Sequence, residues 1–309
     1  VNARVAGLLL GFAADRVLGD PRRFHPVAGF GATAAALERR LYGDSRARGV
    51  LHTSLLVGGA VALGVRAERA ARQPAARAGV TAAATWVVLG GRSLAHEAEA
   101  VHAFLAAADL LGARQRLTHL VGRDPSALDE SEVARAVVES VAENTADAVV
   151  APLLWGAVAG VPGLLGYRAV NTLDAMVGHR SPRYRRFGWA AARLDDLVNL
   201  PASRLAGAAT LLASPRTARE GAGAWRRDAA GHPSPNAGVI EAAFAGALGI
   251  RLGGTNRYGD RVEHRAVMGT GRTPGHWDIP RAVRLASRVG TVSVVVAASI
   301  ATSVGRGRR

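Results

Sequence analysis

The chain has 309 residues, with 39 basic and 24 acidic side chains (formal charge +15), 49% apolar residues and only 5% aromatics. It contains no cysteine, and every basic residue is an arginine. Disulfides, thiolate nucleophiles, cysteine-based metal centres, Schiff-base lysines and a P-loop lysine are thereby excluded, and the aromatic content argues against a base-stacking nucleic-acid platform.

The arginines fall between apolar runs, as at Arg66, Arg69, Arg72 and Arg77, or at Arg183, Arg185 and Arg186. That pattern fits the cytoplasmic flanks of membrane segments better than a nucleic-acid stripe. The expected partner is a lipid bilayer, not nucleic acid.

In chain order, Val5–Ala14 reads as a retained membrane or interfacial helix that ends at the Gly19-Asp20-Pro21 turn. Uncharged runs follow at Val50–Val65 (16 residues), Ala78–Gly91 (14), Ala148–Tyr167 (20) and Val289–Gly305 (17). A bilayer span needs about 17–25 apolar residues, so the last two qualify by length, Val50–Val65 is borderline and Ala78–Gly91 is short. Residues 92–147 read as a largely extramembrane helical segment, with Ser126 to Asp129 spaced like a helix N-terminal cap. His96, Glu99 and His102 within it lack a third good ligand and read as a solvated face. Ala148–Tyr167 carries Pro152, Pro162 and four glycines, the composition of a broken helix, tolerated at membrane depth only against protein or a cavity. Strand signals are weak throughout.

Four polar constellations flank these runs. Glu139, Glu143 and Asp147 recur every four residues, so three carboxylates share one helix face with no base at i+4. A hard cation or distant arginines would relieve them; a solvated acidic face is the alternative. Arg168, Asn171 and Asp174 step by three directly after the broken run. They are either a functional face or a structural Arg–Asp pair. Arg193, Asp195, Asp196 and Asn199 carry adjacent aspartates, which suit magnesium–phosphate chemistry more than proton transfer. His232-Pro-Ser234-Pro-Asn236-Ala-Gly238 is a rigid turn in which Ser234 or Asn236 can cap the next helix. Gly253-Gly254-Thr-Asn256-Arg-Tyr258-Gly259 reads as a loop whose amides could contact phosphate.

Taken in order, these segments resemble the CobD/CbiB family of cobalamin biosynthesis, the adenosylcobinamide-phosphate synthases, over nearly the whole chain. The resemblance rests on Asp15-Arg-Val-Leu-Gly19-Asp20-Pro21 with His25-Pro26-Val27, on Glu139-Ser-Val-Ala-Glu143-Asn144-Thr145, and on Tyr167-Arg-Ala-Val-Asn171-Thr172-Leu173-Asp174-Ala-Met176-Val177-Gly178. It continues through Arg183-Tyr184, Phe187-Gly188-Trp189, Arg193-Leu194-Asp195-Asp196, Ser234-Pro235-Asn236-Ala237-Gly238 and Arg251-Leu252-Gly253-Gly254. Three positions depart from the family pattern: Ala148 for glycine, Ala175 for serine and Arg168 for lysine.

The resemblance implies an all-α, multi-pass integral membrane bundle with broken or re-entrant helices and a soluble helical segment, one domain over 1–309 in the cell (inner) membrane, its active site facing the cytoplasm. It implies an acid–amine ligase that joins aminopropanol, or its phosphate, to the propionate carboxylate of adenosylcobyric acid, with ATP and Mg2+. On this reading Glu143, Asp147 and Asp174 are catalytic. Glu143, Asp147, Asp195 and Asp196 hold metal. Asn144, Arg168, Asn171, Arg193, Ser234 and Asn236 bind substrate. A membrane transporter and an AmpE-like regulatory membrane protein are the alternatives.

Overall fold

A computed structural model describes residues 2–21, 25–122, 124–179, 181–258 and 261–306. The described chain is almost entirely helical. Its helices are α1 (Ala3–Leu18), α2 (Pro26–Leu41), α3 (Arg46–Ala70), α4 (Pro74–Val88), α5 (Gly91–Ala106), α6 (Leu110–Leu117), α7 (Glu130–Thr145), α8 (Ala151–Leu173), α9 (Tyr184–Phe187), α10 (Trp189–Ala213), α11 (Ala218–Asp228), α12 (Ala237–Leu248) and α13 (Asp278–Arg306). Two strands, β1 (Leu252–Tyr258) and β2 (Arg261–Met268), pair antiparallel. Three helical runs are long and apolar enough to cross a membrane: Arg46–Ala70, Glu130–Gly178 and Asp278–Gly305. The borderline run Val50–Val65 thus lies inside a 25-residue helix. At 1.5 Å per residue that helix is about 37 Å long, ample for a bilayer core.

The chain divides into two compact units. One comprises residues 1–90, 151–199 and 294–309. In it α1 packs on α4 through glycines: a Cβ on Gly7 or Gly11 would run into Thr81 or Thr85. Small residues four apart let two helix backbones approach closely, the usual device where lipid removes any hydrophobic drive to associate. Leu56, Leu173, Val177, Phe187 and Ala191 form an apolar cluster with Ala34, which also accepts a hydrogen bond from, or faces, the buried His52 ring at 3.1 Å.

Helix α8 is not one rod. Gly160 sits at φ 69°, ψ −147°, a conformation for glycine, and Pro162 follows in the next turn. A Cβ on Gly163 would strike the Trp155 carbonyl, and one on Gly156 would meet Leu164 at 2.8 Å. Residues eight apart in a continuous helix are about 12 Å apart along the axis. The chain therefore folds back at Gly160, and the two arms pack on each other. The broken helix expected over Ala148–Tyr167 from its prolines and glycines is thus a reversal at Gly160. The backbone groups freed at the tip find partners: Arg4 donates to the carbonyls of Ala157 (3.1 Å) and Val158 (3.2 Å), and Glu68 accepts the Val161 N–H (2.9 Å).

The other unit comprises residues 91–150 and 200–293. Its core gathers Val133, Val137 and Val141 of α7 with Ile240 and Phe244 of α12, Met268 and Ile279. Every residue of α7 from Val133 to Ala142 is buried. A capping box starts this helix: Asp129 Oδ1 accepts the Glu132 N–H (2.8 Å), and Glu132 Oε2 accepts the Asp129 N–H (3.0 Å). The cap is thus Asp129 with Glu132 and not Ser126, whose N–H is taken by Asp124 (2.9 Å) in an Asx turn. Polar residues of the 92–147 segment pair locally: Glu97 binds Arg116 (2.8 Å) and His119 (3.1 Å). The expected loop at Gly253–Tyr258 is a strand. Gly253 (φ 81°) and Gly254 (φ 89°) form an irregularity in its register, which broke the alternation a strand would show in sequence. Gly259 lies outside the described residues.

Candidate active site

Two of the sequence-selected carboxylates lie at the start of π-helical turns: Asp147 is second in Ala146–Val150 and Asp174 is first in Asp174–Gly178. A π-turn inserts one residue into a helix, re-aims the side chains around it, and is frequent at functional sites. At the second turn a Cβ on Gly178 would overlap Asp174 Oδ1 and force that carboxylate to shift.

In the first unit, the second arm of α8 presents Tyr167, Asn171 and Asp174 on one face, and α10 supplies Asp195, Asp196 and Asn199. Tyr167 Oη donates to Asn199 Oδ1 (2.9 Å), and Asn199 Nδ2 donates to Asp195 Oδ2 (3.0 Å). Asp195 Oδ1 is buried, and the Asn171 amide lies close enough to act on the same carboxyl. Burial, and next the nearby Asp174 carboxylate, push the Asp195 carboxyl up to about 7; the Asn199 amide opposes them. Arg193 pairs with Asp196 across one helical turn (3.3 Å), both partly exposed. Arg168 and Thr172 line an apolar cavity of about 380 Å3 with Phe30, Leu56 and Leu165. The sequence reading did not place Tyr167 in the site. Its signal was the spacing Tyr167, Asn171, Asp174 (i, i+4, i+7), which puts all three on one helix face.

In the second unit, Glu143 is exposed and Asp147 half-buried. Asn144 and Thr145 turn back on their own helix, donating to the carbonyls of Ser140 (2.9 Å) and Val141 (2.6 Å). Glu139 does something different from Glu143. It is buried, accepts the Gly253 N–H (2.8 Å) and lies 3.9 Å from Arg135, which donates to the Gly253 carbonyl. The pair clasps the backbone of β1. Ser234 Oγ accepts the N–H groups of Asn236 (3.3 Å) and Ala237 (3.2 Å), so it caps α12. Asn236 Oδ1 accepts from Ser203 (3.0 Å) and Arg204 (3.0 Å), tying α10 to α12. Among the described residues no group of three or more His, Asp or Glu side chains is arranged to hold a metal ion alone. Magnesium, however, is usually held by one or two carboxylates together with substrate phosphates. Asp174 and Asp196, close enough for their charges to act on each other, fit that mode.

The fold and these polar faces define a helical protein with candidate membrane spans and carboxylates set at π-turns. The CobD/Cbib protein family model matches residues 8–286, and the chain belongs to this family. It is 50% identical over 301 residues to the cobalamin biosynthesis protein CobD of Mycobacterium tuberculosis, covering 96% of this chain and 95% of that one. Identity to the proteins of the same name from Rhodobacter capsulatus is 45% over 300 residues (92% and 93% covered), and from Chromobacterium violaceum 45% over 283 (89% of each). No solved structure gives a significant match.

Proposed function

We infer that this chain is a biosynthetic enzyme of the cobalamin pathway, and that it forms the amide between adenosylcobyric acid and aminopropanol or its phosphate. Family membership supports the pathway. The observation that carries the chemistry is the Asp174–Asp195 pair, one member of which titrates near neutrality. An amide does not form from a free carboxylate and an ammonium in water. The propionate is first phosphorylated by ATP; the amine then attacks the acyl carbon, the C–N bond forms, and phosphate leaves. An amine must lose its proton to act, and a carboxyl poised near 7 accepts one at working pH. Asp195 is therefore assigned as the proton acceptor, positioned by Asn199 and Tyr167. Asp174 and Asp196 would hold Mg2+, which supplies charge neutralisation at the phosphoryl oxygens. Arg168 and Arg193 neutralise substrate phosphate, for which the guanidinium fork is suited. Glu143 and Asp147 form a second acidic face, on the other unit. The candidate spans support an integral membrane protein; multi-pass insertion in the cell membrane with cytoplasm-facing chemistry rests on the family resemblance and the arginine-rich flanks.

The test is to supply the purified protein with adenosylcobyric acid, aminopropanol phosphate, ATP and magnesium, and to look for the amide by mass spectrometry. Absence of product from folded protein, with either free or phosphorylated amine, overturns the reading.

A further inference from the structure

Arg4 and Glu68, which hold the tip of the α8 fold-back, also line a cavity of about 340 Å3 in the same unit. Arg69, Arg77, Asn2 and Thr81 complete its polar wall. Three guanidinium groups against one carboxylate leave an excess of two positive charges. Glu68 already accepts the Val161 N–H, and Arg77 Nε donates to the Ala71 carbonyl (3.0 Å) at the end of α3. Among the described residues Arg69 makes no hydrogen bond or ion pair, so its charge is available to a ligand. The last turns of two candidate spans, α3 and α13, meet at this cavity: Val65, Glu68 and Arg69 come from one, and Ala301, Val304 and Gly305 from the other. Span ends lie at the level of the lipid headgroups, and arginine-rich ends favour the cytoplasmic leaflet, where anionic lipids concentrate.

We propose that this cavity binds the phosphodiester headgroup of an anionic phospholipid. The inference rests on the membrane reading and is independent of the ligase chemistry. Its consequence is structural. Arg4 contributes both to the cavity and to the hydrogen bonds at the Gly160 tip, so an occupied site holds the fold-back in place.

Purified protein in neutral micelles is titrated with phosphatidylglycerol, phosphatidylcholine or inorganic phosphate; melting temperature and native-mass lipid adducts are read. Phosphatidylglycerol is expected to bind and raise the melting temperature, while phosphatidylcholine and inorganic phosphate at equal concentration do not. An arginine near anionic lipid contributes a free energy equivalent to about fivefold in binding. Arg69→Gln with Arg77→Gln should then weaken binding about 25-fold. Arg39→Gln with Arg40→Gln, exposed on α2 and equal in charge lost, should leave it unchanged. Equal binding of both lipids overturns the proposal. So does equal loss in the two double variants, which would make the effect one of net charge. Inorganic phosphate acting as well as the lipid would reassign the cavity to a soluble anion. If the double variant does not fold, Arg69→Gln alone is measured, with about fivefold weakening expected. Protein that partitions away from membranes altogether would refute the membrane reading instead.

Discussion

The fold-back of α8 makes a sharp stability prediction at Gly160. Alanine there must adopt φ 69°, ψ −147°, a region essentially restricted to glycine and costing about 1–3 kcal/mol. Its Cβ would also occupy the place of Glu68 Oε1 and lie 2.9 Å from Arg4 Nη2. The carboxylate must move, and the Val161 N–H then loses a charged hydrogen bond of about 1.5–3 kcal/mol. Together the loss is about 2.5–6 kcal/mol, a large share of the roughly 5–15 kcal/mol of a folded domain. Thermal unfolding in detergent should fall by roughly 10 °C. Gly58→Ala is the control. It lies inside α3 with nothing within 4 Å of the added Cβ and should be neutral or stabilising by about 0.5–1 kcal/mol. Glu68→Gln, which keeps an acceptor, should be milder than Glu68→Ala. If Gly160→Ala melts with the wild type, the reversal at that residue and the clamp across it are both wrong.

Asp195 sets a pH dependence. Its folded value, about 7, lies above the ordinary carboxylate range, so between about 4 and 7 the folded protein binds more protons than the unfolded chain. Stability in metal-free buffer should therefore fall as pH rises through that window, and Asp195→Asn should flatten the slope while abolishing amide formation; an unchanged slope refutes the assignment. Glu139→Ala should destabilise the protein by about 3 kcal/mol, because it strands the buried Arg135 and the Gly253 N–H. Glu143→Gln should instead melt normally and lose turnover, so a normally active Glu143→Gln removes that residue from the site. Asp174→Asn should remain folded with altered magnesium dependence; a large drop in melting temperature with near-normal activity per folded molecule would return Asp174 to a structural role. A carbonate wash of cell membranes should leave the protein in the pellet, and its release would contradict the spans.

Local chemistry was legible in the sequence. The capacity of α3, Glu130–Gly178 and α13 to cross a bilayer follows from run length and missing charges. The break near Gly160 follows from prolines and glycines, and the family from ordered motifs. Helical periodicity also placed Asp195 with Asn199, which a hydrogen bond joins. Tertiary structure decided what periodicity cannot express. Glu139 and Glu143 are one turn apart and chemically alike, yet one is buried against β1 and the other exposed, because burial depends on which distant backbone packs there. The helix cap moved from Ser126 to Asp129 because Asp124 took the Ser126 amide. The glycine-rich segment at Gly253 became a strand because Glu139 and Arg135 satisfy its backbone and Met268 pairs with Leu252. The π-turns at Asp147 and Asp174 leave no local signature, since one inserted residue changes the direction of a side chain without changing the apolar pattern around it. The carboxyl of Asp195 is pushed up to about 7 by burial and next by Asp174, an encounter between distant segments that no spacing along the chain encodes.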